Sequence, residues 1–238
     1  MKKRIVIIGG GVVGLATAWV LIKSGHQVQL LERNAEPGSA TSFANGGQLS
    51  YRYVAPLADR GVPLQGIKWM GKADSPLNMR LQMSFQQWRW LLQFLRACNS
   101  HSNKINGDHI LRLSLLSRQV MQSWLNEDNL ADFHWRRSGK LIIHRREYDF
   151  HKAAKGINPQ YQHALSAEAC LQLEPALKHI SHSLQGGIYS PGDETADCHK
   201  FCLALLDKLN ASSNFSLLTH CEVLRLNKRD GRISSLET

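Results

Sequence analysis

Three glycines, at positions 9, 11 and 14, and a carboxylate at position 32 are the residues of this chain best spaced to do chemistry. Arg4-Ile-Val-Ile-Ile8 reads as a short strand buried on both faces. It runs directly into Gly9-Gly-Gly11-Val12-Val13-Gly14, a G-x-G-x-x-G turn. Residues 15–22 read as the helix that follows, Gly25 as its stop, and 28–31 as a second strand ending at Glu32. In such a βαβ unit Gly9 permits the tight turn, Gly11 lets backbone approach a pyrophosphate, and Gly14 lets helix and strand pack closely. The N–H groups that open the helix, around Val12 and Val13, lack intrahelical partners and lie at its positive end, which suits phosphate oxygens. Glu32 stands where a carboxylate accepts hydrogen bonds from a ribose diol. The unit therefore predicts a bound dinucleotide in preference to a plain Gly-rich turn.

The next segment, Ser39-Ala-Thr-Ser-Phe-Ala-Asn-Gly-Gly-Gln48, is rich in small residues and hydroxyls. Thr41 and Ser42 are suited to donate to phosphate oxygens. Ala44, Gly46 and Gly47 let a flat ring lie against the backbone, with Asn45 and Gln48 in the same run. NAD would suit the glycines and Glu32 equally, but would leave 41–48 without a role.

The elements that must position these residues belong to a chain of 238 residues, 43% hydrophobic and 20% charged, enough for one large domain or two small ones. No apolar run approaches the roughly 20 residues of a membrane span. Met1-Lys-Lys-Arg4 imitates the start of a signal peptide, yet cleavage would destroy the glycine turn, so a cytoplasmic chain is expected. Five scattered cysteines fit reduced thiols. Cys198 and Cys202 flank His199 on one helical face and read as small core residues, so no metal site is expected. A formal charge of +10 favours an anionic partner. No nucleic-acid motif is present. Trp88, Leu91, Leu92 and Leu95 fall at helical spacing beside Arg89 and Arg96, a pattern for peripheral membrane contact; packing inside a substrate domain is the favoured reading.

Further along, Pro56, Pro63 and Pro76 punctuate irregular connections between short helices. A helix is expected over 110–125 with Leu113, Leu116, Val120 and Trp124 on one stripe. Two strands should meet about Ser138-Gly139, and a short helix capped by Ser166 should end near Pro175. Another helix is expected over 196–209. A hairpin should join 221–226 to 232–237 across Arg229-Asp230-Gly231.

Five pieces then line up in order: the glycine turn with Glu32-Arg33, Thr41-Ser-Phe-Ala-Asn-Gly-Gly-Gln48, Gly61-Val-Pro with Ile67-Lys-Trp69, Trp135-Arg-Arg-Ser-Gly-Lys140, and Gly192-Asp-Glu-Thr-Ala-Asp-Cys-His199. Together they resemble the FAD-dependent D-amino acid dehydrogenases of the small-subunit type, in the D-amino acid oxidase-like flavoprotein superfamily. The resemblance spans nearly the whole chain. It implies an α/β protein with a Rossmann-like FAD-binding domain (parallel sheet, helices and a β-hairpin or meander) from residues 1–50 and 185–238. An inserted, incomplete α+β substrate domain would occupy 51–184.

By the same resemblance Gly9, Gly11, Val12, Val13 and Gly14 face the pyrophosphate, and Glu32, with Arg33 beside it, the adenosine ribose. Thr41 and Ser42 serve the phosphate and ribityl side; Ala44, Asn45, Gly46, Gly47 and Gln48 run past the isoalloxazine. Val223, in the hairpin strand, meets the adenine through its backbone. The implied reaction oxidises a D-amino acid by hydride transfer to flavin N5. The imino acid hydrolyses to a 2-oxo acid and ammonia, and electrons pass to a membrane quinone or other acceptor at the inner face of the membrane. Tyr53 is the first candidate to line the substrate pocket and Arg52 the second, although a solvated loop explains both equally well. Family members run substantially longer. The alternatives are thus a truncated, non-catalytic remnant, a relative acting on other amines, imino acids or glycine, and an NAD-binding oxidoreductase. An incomplete sheet would leave an open edge, inviting self-association or a partner chain.

Overall fold

The computed structural model of the protein describes residues 1–52, 54–69 and 82–238. The chain begins with β1 (Arg4–Ile8), α1 (Val12–Lys23), β2 (Gln27–Leu31) and the two-residue β3 (Gln48–Leu49). Three helices follow: α2 (Val62–Trp69), α3 (Phe85–Ala97) and α4 (Ser100–Glu127). Then come β4 (Lys140–His144), α5 (Glu147–Lys155), β5 (His163–Ser166), α6 (Ala167–Leu173) and a 3₁₀ segment over Pro175–Ser183. The last stretch holds β6 (Gly186–Ser190), β7 (Glu194–Thr195), α7 (Cys198–Asn210), β8 (Phe215–Leu218), β9 (Arg225–Arg229) and β10 (Arg232–Glu237). Two compact units result, one of Met1–Leu49 with Trp124–Thr238, the other of Ser50–Ser123.

The first unit is built on a parallel sheet of order β1-β2-β8, with β1 paired from Arg4↔Gln27 to Ile8↔Leu31 and β2 from Val28↔Phe215 to Leu31↔Leu218. Strand alternation sends Val28 and Leu30 inward, where α1 and α7 pack over the sheet. Gly14, Ala16 and Ala18 let α1 approach closely, while Phe201, Cys202, Leu205 and Leu209 recur at helical spacing on the buried side of α7. Leu15, Leu30, Leu205 and Leu209 are fully buried, each contributing about 1.5–3 kcal/mol by leaving water. Trp124 stacks on Phe201 and Phe133 packs tilted against it, with ring centroids at 6.1 and 5.1 Å. Asp128 anchors the outer side of α1, accepting from Trp19 Nε1 at 2.8 Å and Lys23 Nζ at 2.7 Å.

β1 is not buried on both faces. Val6 and Ile8 are 46% and 52% exposed, and β2 is the strand's sole neighbour among the described residues. An apolar run alone does not distinguish a strand covered on both sides from one covered on a single side.

A second, antiparallel sheet of order β4-β6-β5 lies under α5 and α6. The stretch before Gly139 does not form the expected strand; among the described residues its only ladder contact is the bridge Arg136↔Thr195. Ser166 caps α6 as expected, accepting from Ala169 N. The hairpin turns through Asp230 and Gly231, both with positive φ, a geometry that matches strand twist. Its first strand begins at Arg225, so Val223 precedes the hairpin.

In the second unit α4 begins ten residues earlier than the sequence pattern suggests, and Leu113, Leu116 and Val120 of its stripe are exposed. No residue of α3 is buried. Phe85, Trp88, Leu92 and Leu95 lie open on one side, which differs from the expected interior packing. Among the described residues no helix is long and apolar enough to cross a membrane.

Candidate functional site

The glycine turn forms an open cradle. Gly9 takes φ +100°, and a Cβ there would meet nothing within 4 Å, so the space beside the turn is unobstructed. Gly14 is fixed by a steric limit instead, because its Cβ would fall 2.0 Å from Gly9 O. Gly11 caps α1 without a side chain; Ser42 does that work from 30 residues away, its Oγ accepting from Val12 N at 3.0 Å. No acidic residue occupies the first turn of α1, and Val13 is exposed there. A positive helix end without a competing carboxylate suits phosphate.

Glu32 is 7% exposed and aimed at this turn. Its Oε2 accepts from Gly10 N at 2.6 Å and its Oε1 from Asn34 N at 2.9 Å. A carboxylate offers about four acceptor positions, so two N–H groups leave capacity for sugar hydroxyls. Gly10, an unspecified position in the motif, is constrained as well: a Cβ would sit 3.0 Å from Pro37 and 3.1 Å from Glu32 Oε2. Cys221 N donates to Glu32 O and His220 N to Asn34 O, which brings the run leading to Val223 alongside the carboxylate.

Beyond Ser42 the chain enters a cavity of about 490 Å³. One wall is residues 43–47, and the other is His134, Arg136 and residues 195–198. Backbone pairing holds the walls: β3 pairs with β7 (Gln48↔Thr195), and Thr195 exchanges both backbone bonds with Arg136. Gly47, at φ +59°, lies so near Ala196 O that a Cβ would come to 2.7 Å. Trp135 Nε1 donates to buried Glu194 Oε2 at 2.8 Å, and Gly139 N to Asp193 O. Three of the sequence segments singled out above thus meet at one place.

The cavity wall carries charges of both signs, Arg136 and Asp197. Lys200 Nζ lies 2.8 Å from His134 Nε2, and His134 is held at φ +57° with its N–H on Asp132 Oδ1. Asp197 caps α7; accepting from Lys200 N holds its carboxyl below the usual carboxylate range, with Lys200 and His134 adding to the effect. Behind the wall, burial and then neighbouring Cys198 push the Cys202 thiol up to about 12.

Among the expected site residues, Ser42 is buried and Thr41 and Arg33 are exposed. Residues 44–47 line the cavity, and Gln48 sits in β3 beside it. Arg52 is half-buried in the second unit, and Tyr53 lies outside the described residues. No metal-holding group of His, Cys, Asp and Glu occurs among the described residues. Sequence reading missed His134 and Arg136 as cavity groups, and Lys200 as the partner of His134. His134 and Lys200 are 66 residues apart, and no periodic signal links them.

Residues 4–238 match the family described as DAO, FAD dependent oxidoreductase. The chain is 49% identical over 225 residues to D-amino acid dehydrogenase 2 of Pseudomonas aeruginosa, covering 94% of this chain and 52% of that protein. It is 40% identical over 219 residues to D-amino acid dehydrogenase 2 of Ralstonia nicotianae, covering 90% and 52%. The chain thus spans about half the length of these relatives. Its fold resembles L-proline dehydrogenase from P. horikoshii (TM-score 0.63, 16% identity, 99% of this chain and 48% of that one). It also resembles glycine oxidase from Bacillus cereus (TM-score 0.58, 17% identity, 99% and 52%). The chain belongs to the FAD dependent oxidoreductase family, and its cofactor is FAD. The residues present fit that cofactor: an open glycine cradle, a helix end free of acid, a carboxylate aimed at the turn, and a cavity continuing the same path.

Proposed function

We propose that this chain carries the FAD-holding part of an oxidoreductase that converts a D-amino acid to the imino acid, which water hydrolyses to a 2-oxo acid and ammonia. The observation that carries this reading is the continuity from cradle to cavity, joined to 49% identity with a protein named as a D-amino acid dehydrogenase. FAD, when bound, supplies the electron sink for a hydride leaving the carbon beside the amine.

The protein's share is position. Gly9, Gly11 and Gly14 keep side chains out of the cradle, and the N–H of Val13, with Thr41 and the hydroxyl proton of Ser42, whose oxygen holds Val12 N, takes the phosphates. Glu32 grips the ribose hydroxyls, with Arg33 at its side and the Val223 backbone along the adenine. Residues 44–48 lie along the ring. Arg52 and Tyr53 are assigned to the substrate carboxylate, since a guanidinium forks onto two oxygens and a phenol donates one more bond. Residues 1–50 and 185–238 serve the cofactor and 51–184 the substrate, apart from His134 and Arg136, which line the cavity. Electrons leave to a quinone or another acceptor. The apolar side of α3, flanked by Arg89 and Arg96, supports peripheral contact with the inner face of the plasma membrane. The open edge of β1 is suited to take a strand from a second copy or another chain.

A second reading, FAD binding without turnover, is favoured by the chain's coverage of only about half of its relatives. Purified chain reconstituted with FAD and given D-alanine, D-proline or glycine with an artificial acceptor separates the two. Reduction by D-amino acids and not by their L-forms is expected. Bound FAD without turnover supports the second reading, and a chain that takes up no FAD defeats both.

A further inference from the structure

Phe43 is the one bulky apolar side chain among the residues that line the cavity, and the reading above gives it no task. The rest of its wall is Ala44, Asn45, Gly46 and Gly47. The facing wall is polar apart from the small Ala196 and Cys198. Phe43 is 62% exposed. A lone exposed apolar side chain is ordinary on a surface; one anchored in a cavity wall offers contact area to a ligand.

The anchoring comes from two directions. Phe43 N donates to Ala40 O at 2.9 Å, and Ser42, just before it, is tied to Val12 N. The Phe43 ring meets the His199 ring in an edge-to-face arrangement, with centroids 4.9 Å apart and planes at 60°. His199 belongs to the first turn of α7, and its buried Nδ1 lies close beside Gly38, where a Cβ would come within 3.5 Å of it. One side of the Phe43 ring is thus held against a helix while much of the rest stays open. A side chain already fixed in place loses little freedom when a flat partner covers it.

We propose that Phe43 packs against the flavin ring system of FAD, as the apolar contact that holds the ring once the phosphates are placed. The inference rests on the assignment of residues 44–48 to the ring. In the chain Phe43 stands between Ser42, on the phosphate side, and Ala44, where the ring begins. The small residues after it let a ring come close to the backbone, and the phenyl supplies the contact area that they lack.

The test compares FAD with ADP, which carries the adenosine and both phosphates but no flavin ring, each titrated into the full chain by calorimetry. Phe43→Ala should weaken FAD binding on the order of tenfold and leave ADP binding at the wild-type value. Phe43→Tyr, which keeps a flat ring, should bind FAD as wild type does. Tyr148→Ala removes an aromatic side chain that is also exposed but lies on α5 and does not line the cavity, so it should change neither affinity. Wild-type FAD affinity in Phe43→Ala overturns the proposal and leaves the cofactor assignment standing. Equal losses of FAD and ADP also overturn it, because the damage then lies in the cradle and not at the ring. If wild-type chain takes up no FAD, the assignment itself fails and the proposal with it.

Discussion

Glu32 shows how a functional residue is also a structural one. Its two oxygens accept the N–H groups of Gly10 and Asn34, so the same carboxylate shapes the cradle and faces the dinucleotide path. Glutamine is nearly isosteric there but has one acceptor oxygen and a donating NH₂. In Glu32→Gln one backbone N–H would therefore oppose another donor. The FAD-free variant should lose about 1–3 kcal/mol of stability, read as a lower midpoint in urea unfolding. An unchanged midpoint would mean that these two contacts do not need a carboxylate. Ser42 teaches a related lesson: its hydroxyl substitutes for the side chain that Gly11 lacks, so the glycine is tolerated at the helix cap.

At the level of elements, α3 is the most informative because it contains no acidic residue and buries none of its apolar ones. Phe85, Trp88, Leu92 and Leu95 share a side whose flanks carry Arg89 and Arg96, the arrangement of a helix lying in a lipid interface. Chain mixed with phosphatidylglycerol vesicles should co-sediment, more weakly at high salt, and should do so less with neutral phosphatidylcholine. Trp88→Glu with Leu92→Glu should abolish the binding; equal sedimentation of variant and wild type sets the membrane reading aside. β1 is the other element with an open side, since Val6, Ile8 and one hydrogen-bonding edge have no cover among the described residues.

For the whole molecule, the cradle and cavity lie in the unit formed by Met1–Leu49 and Trp124–Thr238, so cofactor binding must stabilise residues from both ends of the sequence together. FAD at a hundred times its Kd adds about 2.7 kcal/mol to the folded state. For a unit of this size, that raises its unfolding temperature by roughly 5–10 °C. The same concentration of NAD should leave the transition where it is. A transition that rises with NAD and not with FAD contradicts the cofactor assignment.

The local parts of the site were legible in the sequence because they obey short-range rules. A strand, a glycine turn and a helix are written in consecutive residues, as are the cap at Ser166 and the turn at Asp230-Gly231. Which apolar faces stay uncovered was not legible, since Val6 and Ile8 read the same whether or not a layer lies above them. Nor was the meeting of Ser42 with Val12, or of His134 with Lys200, because backbone pairing around Thr195 and the packing of α7 bring distant segments together. The sequence by itself determined a dinucleotide cradle and the family resemblance that goes with it. The tertiary structure alone decided which charged groups meet at the cavity, Arg136 and Asp197 on its wall with Lys200 against His134, because electrostatic contact depends on distances in space and not on separations along the chain.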